Sequence, residues 1–327
     1  MVPLYGGRPW NRTRRASPRG SYSPLPHLAA CRPLSCALRL TWWVITSDLK
    51  ARQGTNWLKL GSHSTKAKKM QKPKWVVQKE QDRKTEANAT VWLFGLHAVR
   101  DALMNPSRKR LRLIVTLNAQ NKLEEAISES GMEPEVVDPR KFSAPLDPGS
   151  VHQGAALEVK PLDWGRLDDV VIGDEHPRVL LLDRVTDPHN VGAILRSAEV
   201  LGASAVIGTR HHSAPETGAL AKTASGALER QPYLRMRNLA DAIISLQGMG
   251  YLVLGLDGEA EHTIEQAVEG KTHLPVALVL GAEGPGLRDK TKETCDMLVR
   301  IDAAGEFGSL NVSNAAALAL YATKVRI

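Results

Sequence analysis

The sequence predicts an α/β fold: a mostly parallel sheet covered by helices on both faces, preceded by a small α/β domain. Two observations carry this. In the carboxy-terminal half, near-continuous apolar runs at Val179–Leu182, Ala205–Ile207, Tyr251–Leu254, Val276–Leu280 and Met297–Ile301 alternate with segments of helical periodicity. Strands that are apolar on both faces belong to parallel sheets sandwiched between helices. The chain of 327 residues, 43% of them hydrophobic, is also long enough to fill two ordinary cores.

Residues 1–89 stand apart. They hold 18 Lys+Arg against 4 Asp+Glu, a balance of +14, so the +8 of the whole chain leaves −6 for residues 90–327. The body of the protein is mildly acidic, and any nucleic-acid contact there must come from local patches. Residues 1–69 lack helical or strand periodicity and read as a disordered basic leader. Translation is expected to begin at Met70, where MQKPKWVVQKEQDRK opens a conventional charged segment; a basic RNA-gripping arm is the alternative. Cys31, Cys36 and Cys295 form no zinc-spaced set, so no metal is expected, and an odd number of cysteines fits a reducing cytoplasm. Leu28-Ala29-Ala30-Cys31 imitates a lipoprotein box but lacks the apolar run before it. The apolar stretch Leu34–Ile45 falls short of the roughly 20 residues a membrane span needs, and Arg39 interrupts it.

Residues 90–160 read as the small α/β domain. Gly95 leads into a helix through Leu103, which Asn105-Pro106 ends because the proline ring disfavours helix at the residue before it. Leu111–Leu117 alternates as a strand, 122–130 is helical with Gly131 as its stop, and Val136-Val137 and Ala155–Val159 give short strands. Arg108, Lys109, Arg110 and Arg112 form a dense basic patch suited to phosphate contacts, or a solvated loop. Residues 161–178, polar and charged from Asp163 to Pro177, read as a linker before a catalytic domain at 179–327.

Three segments of that domain carry chemistry. After the strand Val179–Leu182, Asp183 to Ala198 reads DRVTDPHNVGAILRSA; Val191, Ile194, Leu195, Ala198 and Leu201 recur at helical spacing, with Asn190 as expected N-cap and Gly202 as stop. Arg196 lies on the second turn, off the apolar stripe. The strand Val276–Leu280 runs into Gly281-Ala282-Glu283-Gly284-Pro285-Gly286, whose glycines permit positive φ and close backbone approach. A glycine-rich turn alone also suits a nucleotide-binding Rossmann protein, but the dinucleotide spacing is absent and a carboxylate at Glu283 would repel pyrophosphate. Gly270-Lys271-Thr272 imitates a phosphate loop, yet Glu265 stands where its glycine belongs. Finally, Ser309 to Ala317 reads SLNVSNAAA: Ser309 is placed to cap a helix from Leu310 to Thr323, Asn311 lies just inside it, and the small side chains allow close packing.

Together these segments resemble the ordered motifs of the SpoU/TrmH family of RNA ribose 2'-O-methyltransferases in the SPOUT superfamily, strongly over 179–327. Residues 90–160, including the His152-Gln153-Gly154 turn, resemble the ribosomal-protein-like RNA-binding domain that precedes the catalytic domain in many members. The resemblance implies a knotted sheet, a homodimer with its interface beside the cofactor pocket, and S-adenosylmethionine as cofactor. It implies Asn190 and Arg196 as groups that orient the substrate and assist deprotonation of the ribose hydroxyl. Glu283 becomes an active-site residue, Ser309 and Asn311 face the reacting ribose, and Gly281, Ile301 and Leu310 contact the cofactor. Asp302-Ala303 departs from the Pro-Met usual after that isoleucine. A guanidinium does not ordinarily give up its proton, so Arg196 is expected to clamp charge rather than act as base. The layout looks most like the subgroup acting on a guanosine of 23S rRNA; a tRNA ribose is the nearest alternative. A non-catalytic RNA-binding protein of the same fold is the alternative from another class.

Overall fold

The computed structural model describes residues 89–327 apart from 173–175, 272, 305–309 and 325–327. The basic leader, Met70 and Ser309 lie outside the described residues.

The small domain is a four-stranded sheet of order β1-β4-β2-β3, with β1 (Val91–Phe94), β2 (Arg110–Val115), β3 (Glu135–Val136) and β4 (Ala155–Val159). Helix α1 (Leu96–Met104) ends at Asn105 as the following proline requires. The helix expected over 122–130 is instead two short ones, α2 (Leu117–Lys122) and α3 (Glu124–Ser130), because Thr116 caps α2 through its hydroxyl and Leu123 leaves helical geometry between them. Gly131 ends α3 in the left-handed region, as expected.

The linker segment carries structure of its own. Helix α4 (Leu167–Val171) buries Leu167 and Val171 in the main core, and the Tyr251 hydroxyl donates to the Val171 carbonyl at 2.6 Å. The apolar positions Leu167 and Val171, three and seven residues on from Trp164, were hidden among the charges of that stretch.

The main sheet has seven strands in the order β7-β6-β5-β10-β8-β11-β9, every adjacent pair parallel. Five are the expected runs: β5 (Arg178–Asp183), β6 (Ala205–Thr209), β8 (Leu252–Leu256), β10 (Val276–Gly281) and β11 (Met297–Arg300). The edge strands β7 (Tyr233–Met236) and β9 (His262–Thr263) complete it. Alternation divides the core into two. Leu180, Leu182, Val206, Leu278 and Leu280 face one layer with α5 (Pro188–Leu201) and α10 (Val312–Ala322); Val179, Leu181, Ile207, Ala277 and Val279 face the other with α4 and α7 (Leu239–Gly248). Two more helices bear on the site, α6 (Gly218–Ala224) and α9 (Asp289–Thr294), while α8 (Ile264–Val268) follows β9. No described helix is long and apolar enough to cross a membrane.

Two buried polar contacts hold these layers in place. Arg178, 9% exposed and without a carboxylate partner among the described residues, donates to the Leu320 carbonyl at 2.7 Å and to the Leu201 carbonyl at 2.6 Å, so one guanidinium satisfies carbonyls at the carboxyl ends of α5 and α10. Burial pushes its pKa down. Arg108, 2% exposed, corrects the expected RNA patch. Its Nε and Nη2 bind both oxygens of Glu229 at 3.0 and 2.7 Å, and its Nη1 reaches Glu216 and the Lys160 carbonyl at 2.9 Å. This fork joins the small domain to the segment around α6. Beside it, β1 seats directly on α6: a Cβ on Gly218 would lie 2.4 Å from the Phe94 ring. The small domain and one face of the main sheet consequently share a core.

Candidate active site

The strands that carry the motifs end at one edge of the sheet. β5 and β10 are neighbours with Asp183 paired to Gly281, and here the strand order reverses: the chain leaves β5 outward through β6 and β7, then returns to the far side of β10 at β8. In open parallel sheets the ligand crevice forms beyond the carboxyl ends of the strands at such a switch point.

Asp183 fixes this corner, and the sequence reading gave it no role. Fully buried, it accepts from the Arg288 amide at 3.2 Å, from Arg288 Nε at 2.8 Å and from the Thr291 hydroxyl at 2.7 Å. The exit of the glycine loop is thus tied to the end of β5. The available signal was a charge terminating the apolar run VLLLD. Asp183→Asn should cost about 1–3 kcal/mol by leaving donors poorly matched in a buried site, and should raise the cofactor KM several-fold while leaving RNA affinity unchanged. Titration calorimetry with each ligand separately would check this; equal weakening of both would refute the local tie.

The loop itself closes tightly. The Gly286 amide donates to the Ala282 carbonyl at 3.0 Å, and a Cβ on Gly281 would lie 2.2 Å from the Gly286 carbonyl carbon. Gly284 and Gly286 take the positive φ angles of 88° and 67° that side chains avoid. Glu283 is thereby presented, exposed, at the apex.

On α5 the expected cap needs correction. Asp187, not Asn190, is the N-cap, accepting from the amides of His189 and Asn190 at 3.0 and 3.2 Å, because Pro188 has no amide hydrogen and suits the first helical position. This frees the Asn190 side chain for the site. The start of the last helix is corrected in a similar way: α10 begins at Val312, not Leu310, with Asn311 as its cap. Asn311 works at both ends of its amide. Its Oδ1 accepts from the Ser313 amide at 2.9 Å, while its Nδ2 donates to Glu283 Oε1 at 2.7 Å and to Asn190 Oδ1 at 3.0 Å. Asn190 Nδ2 donates to the same Glu283 oxygen at 3.0 Å. Three residues separated by 93 and 28 positions form one bonded set.

Arg196 does not join that set. It is exposed, and six residues on from Asn190 it stands about 240° round the helix. Among the described residues no hydrogen bond links it to Asn190, Glu283 or Asn311. Gly281, half-buried Ile301 and Leu310, 46% exposed, lie near the sheet edge by the site; Ile301 follows β11 and Leu310 directly precedes Asn311. At the end of β8, which lies between β10 and β11, Lys292 bonds Asp257 at 2.5 Å and holds its carboxyl below the usual range. Burial pushes the Cys295 thiol up to about 12, away from the range of a reactive thiolate. Of the expected RNA-contacting cations, Arg110 donates to the Leu103 carbonyl, Arg112 is held bidentately by Glu135 at 2.6 and 2.7 Å, and Lys109 is exposed.

Comparison with known proteins agrees with this geometry. The SpoU rRNA Methylase family matches residues 177–321, and the RNA 2'-O ribose methyltransferase substrate binding family matches residues 92–164. The 23S rRNA (guanosine-2'-O-)-methyltransferase RlmB of Vibrio cholerae is 39% identical over 243 residues, covering 70% of this chain and 94% of its own. This chain belongs to the SpoU rRNA Methylase family. RlmB of Escherichia coli is 38% identical over 237 residues, 70% of this chain and 96% of its own. Among solved structures, the SpoU methyltransferase AviRb from Streptomyces viridochromogenes, in complex with AdoMet, superposes with a TM-score of 0.62 at 22% identity, over 74% of this chain and 91% of that one. The α/β fold with its parallel sheet is the fold of this methylase family.

The donor set suits S-adenosylmethionine, the cofactor of the family's methyl transfer. The exposed Glu283 carboxylate at the apex of the loop suits a cationic sulfonium and would repel a pyrophosphate.

Proposed function

We propose that this SpoU methylase, an S-adenosylmethionine-dependent RNA 2'-O-methyltransferase, acts on a guanosine of 23S rRNA. The relatives named RlmB support the substrate. The bonded set Asn190–Glu283–Asn311 is the observation that carries the chemistry.

When bound, S-adenosylmethionine supplies an electrophilic methyl group on a sulfonium, held by Ile301, Leu310 and the backbone at Gly281. Asn190 and Asn311 both bond Oε1 of Glu283 and so fix the carboxylate plane. Oε2 takes no bond from a described residue, which leaves it to accept the ribose 2'-hydroxyl and to receive its proton as the oxygen is methylated. Arg196 stays protonated and stabilises negative charge on the oxygen or the adjoining phosphate. Its place away from the bonded set is met if it comes from the second subunit of a homodimer. The exposed apolar residues Leu318 and Tyr321 on α10, with Leu310 just before it, support such an interface. The knot, the cytoplasmic location and the division into an RNA-binding domain at 90–160 and a catalytic domain at 179–327 belong to the same proposal.

A ribose-methylation map of rRNA and tRNA from wild-type cells, a deletion strain and an Arg196→Ala strain tests it. One 2'-O-methyl mark should vanish from a 23S rRNA guanosine in both altered strains. A lost tRNA mark would change the substrate, and an unchanged map would reject the catalytic reading.

A further inference from the structure

A cleft of about 1000 Å³ opens in the small domain, lined by Leu96, Leu117, Asn118, Val136, Pro139 and Gln153 among others. It lies at the top of the size range of small-ligand sites, roughly 300–1,000 Å³. Leu117 is 65% and Val136 48% exposed, so its apolar walls face solvent. The turn at its back is built under constraint. Gln153 adopts a φ of 54°, unusual for a residue with a side chain, and Gly154 a φ of 80° where a Cβ would lie 2.3 Å from the Thr116 hydroxyl. Two contacts hold the turn: Gln153 Oε1 accepts from the Leu96 amide at 3.1 Å, and the His152 ring stacks on Phe142 at 4.1 Å with 15° between planes. A strained residue kept in place by its surroundings is a common mark of a ligand site.

We infer that this cleft receives an unstacked base from a single-stranded segment of the substrate RNA; the inference rests on the RNA-methyltransferase reading above. Aliphatic walls can flank the faces of a planar base, and the amides of Asn118 and Gln153 suit its edge, the part of an unstacked base that hydrogen bonds read in single-stranded RNA. Charge supports an RNA partner. Lys122 lines the cleft, and exposed Arg140 and Lys141 directly follow Pro139, while the nearby Asp138 carboxylate is engaged by the Arg140 amide at 2.8 Å. The basic patch expected to grip RNA is mostly committed elsewhere, with Arg108 buried and Arg112 paired. The wall of the cleft abuts α6, which in turn touches the start of α5. Gly95 lies between Gln153 and Lys222 of α6, and the next residue, Thr223, bonds His189 at 3.1 Å, one position from Asn190. A base seated here anchors the RNA strand that reaches Asn190 and Glu283.

The test uses full-length protein and a 23S rRNA transcript. Leu117→Ser/Asn118→Ala and the cleft-filling Val136→Trp should each raise the RNA KM about tenfold, the effect of losing one stacked base, with S-adenosylmethionine affinity unchanged by calorimetry. In parallel, wild-type protein photo-crosslinked to 4-thiouridine-substituted transcript should yield adducts at His152, Gln153 or their cleft neighbours. Wild-type KM in both variants, or adducts confined to other regions, would overturn the cleft assignment while leaving the methyltransferase reading intact. Wild-type protein that binds cofactor yet methylates no transcript would reject the reading and the inference together.

Discussion

Replacing Glu283 with Gln should lower kcat by about 10²- to 10⁴-fold, the usual loss when a group that takes a proton in the transition state is removed. The replacement is close to isosteric. A glutamine oxygen can still accept from Asn190 Nδ2 and Asn311 Nδ2, which now bond Oε1 at 3.0 and 2.7 Å, so the set keeps its arrangement. What changes is the other atom. A carboxylate oxygen that takes no bond from a described residue becomes an NH2 group that donates and cannot take a proton. Cofactor affinity, RNA affinity and thermal stability should stay near wild type, since Glu283 is exposed and, among the described residues, is bonded by the side-chain amides of Asn190 and Asn311. Single-turnover methylation with pre-bound RNA isolates the step. A rate within a few-fold of wild type would show that the proton leaves by another route, with Glu283 confined to holding the two asparagines.

How far this site could be read from the chain follows from which contacts are local. β5 and β10 were legible because both faces of each are buried, giving apolar runs that need no partner to recognise. Gly202, Gly131 and the break at Asn105 were legible for a related reason: a turn's backbone demand is written at the residue itself. Asn190, Glu283 and Asn311 were each identifiable from motif resemblance, but their shared oxygen is created only when β5 and β10 lie side by side. The misassigned caps show a finer limit. Asn190 is a good capping residue by type and Leu310 a plausible first helical residue, yet Pro188 selected Asp187, and α10 starts at Val312 with Asn311 as its cap. The edge strands β7 and β9 escaped notice because one face or one edge of each meets solvent, so their residues are mixed. Arg108 escaped for the opposite reason. Its neighbours Lys109, Arg110 and Arg112 disguise it as surface, while its partners Glu216 and Glu229 stand 108 and 121 residues away.

Arg108→Met should therefore destabilise the protein rather than weaken its hold on RNA. Removing one partner from a buried ionic set costs about 3–5 kcal/mol, because the other charges stay buried without it. Two carboxylates are left here, Glu216 and Glu229, whose side chains are 7% and 3% exposed. Burial already pushes the Glu216 carboxyl upward, with Arg108 only partly opposing it. A drop in Tm on the order of 10 °C follows for a folded body of this size. Arg108→Lys discriminates between the two readings of this residue. A lysine keeps the charge and would serve a phosphate, but one ammonium cannot span Glu229, Glu216 and the Lys160 carbonyl as the guanidinium does. The lysine variant should thus melt well below wild type while binding RNA normally when folded. Adding Glu216→Gln and Glu229→Gln to Arg108→Met should recover part of the lost stability, since neutral amides are less costly to bury than unpaired carboxylates. Unchanged melting of Arg108→Met, together with a fall in RNA affinity, would return Arg108 to the RNA-binding surface and remove the buried fork as the joint between the small domain and the sheet.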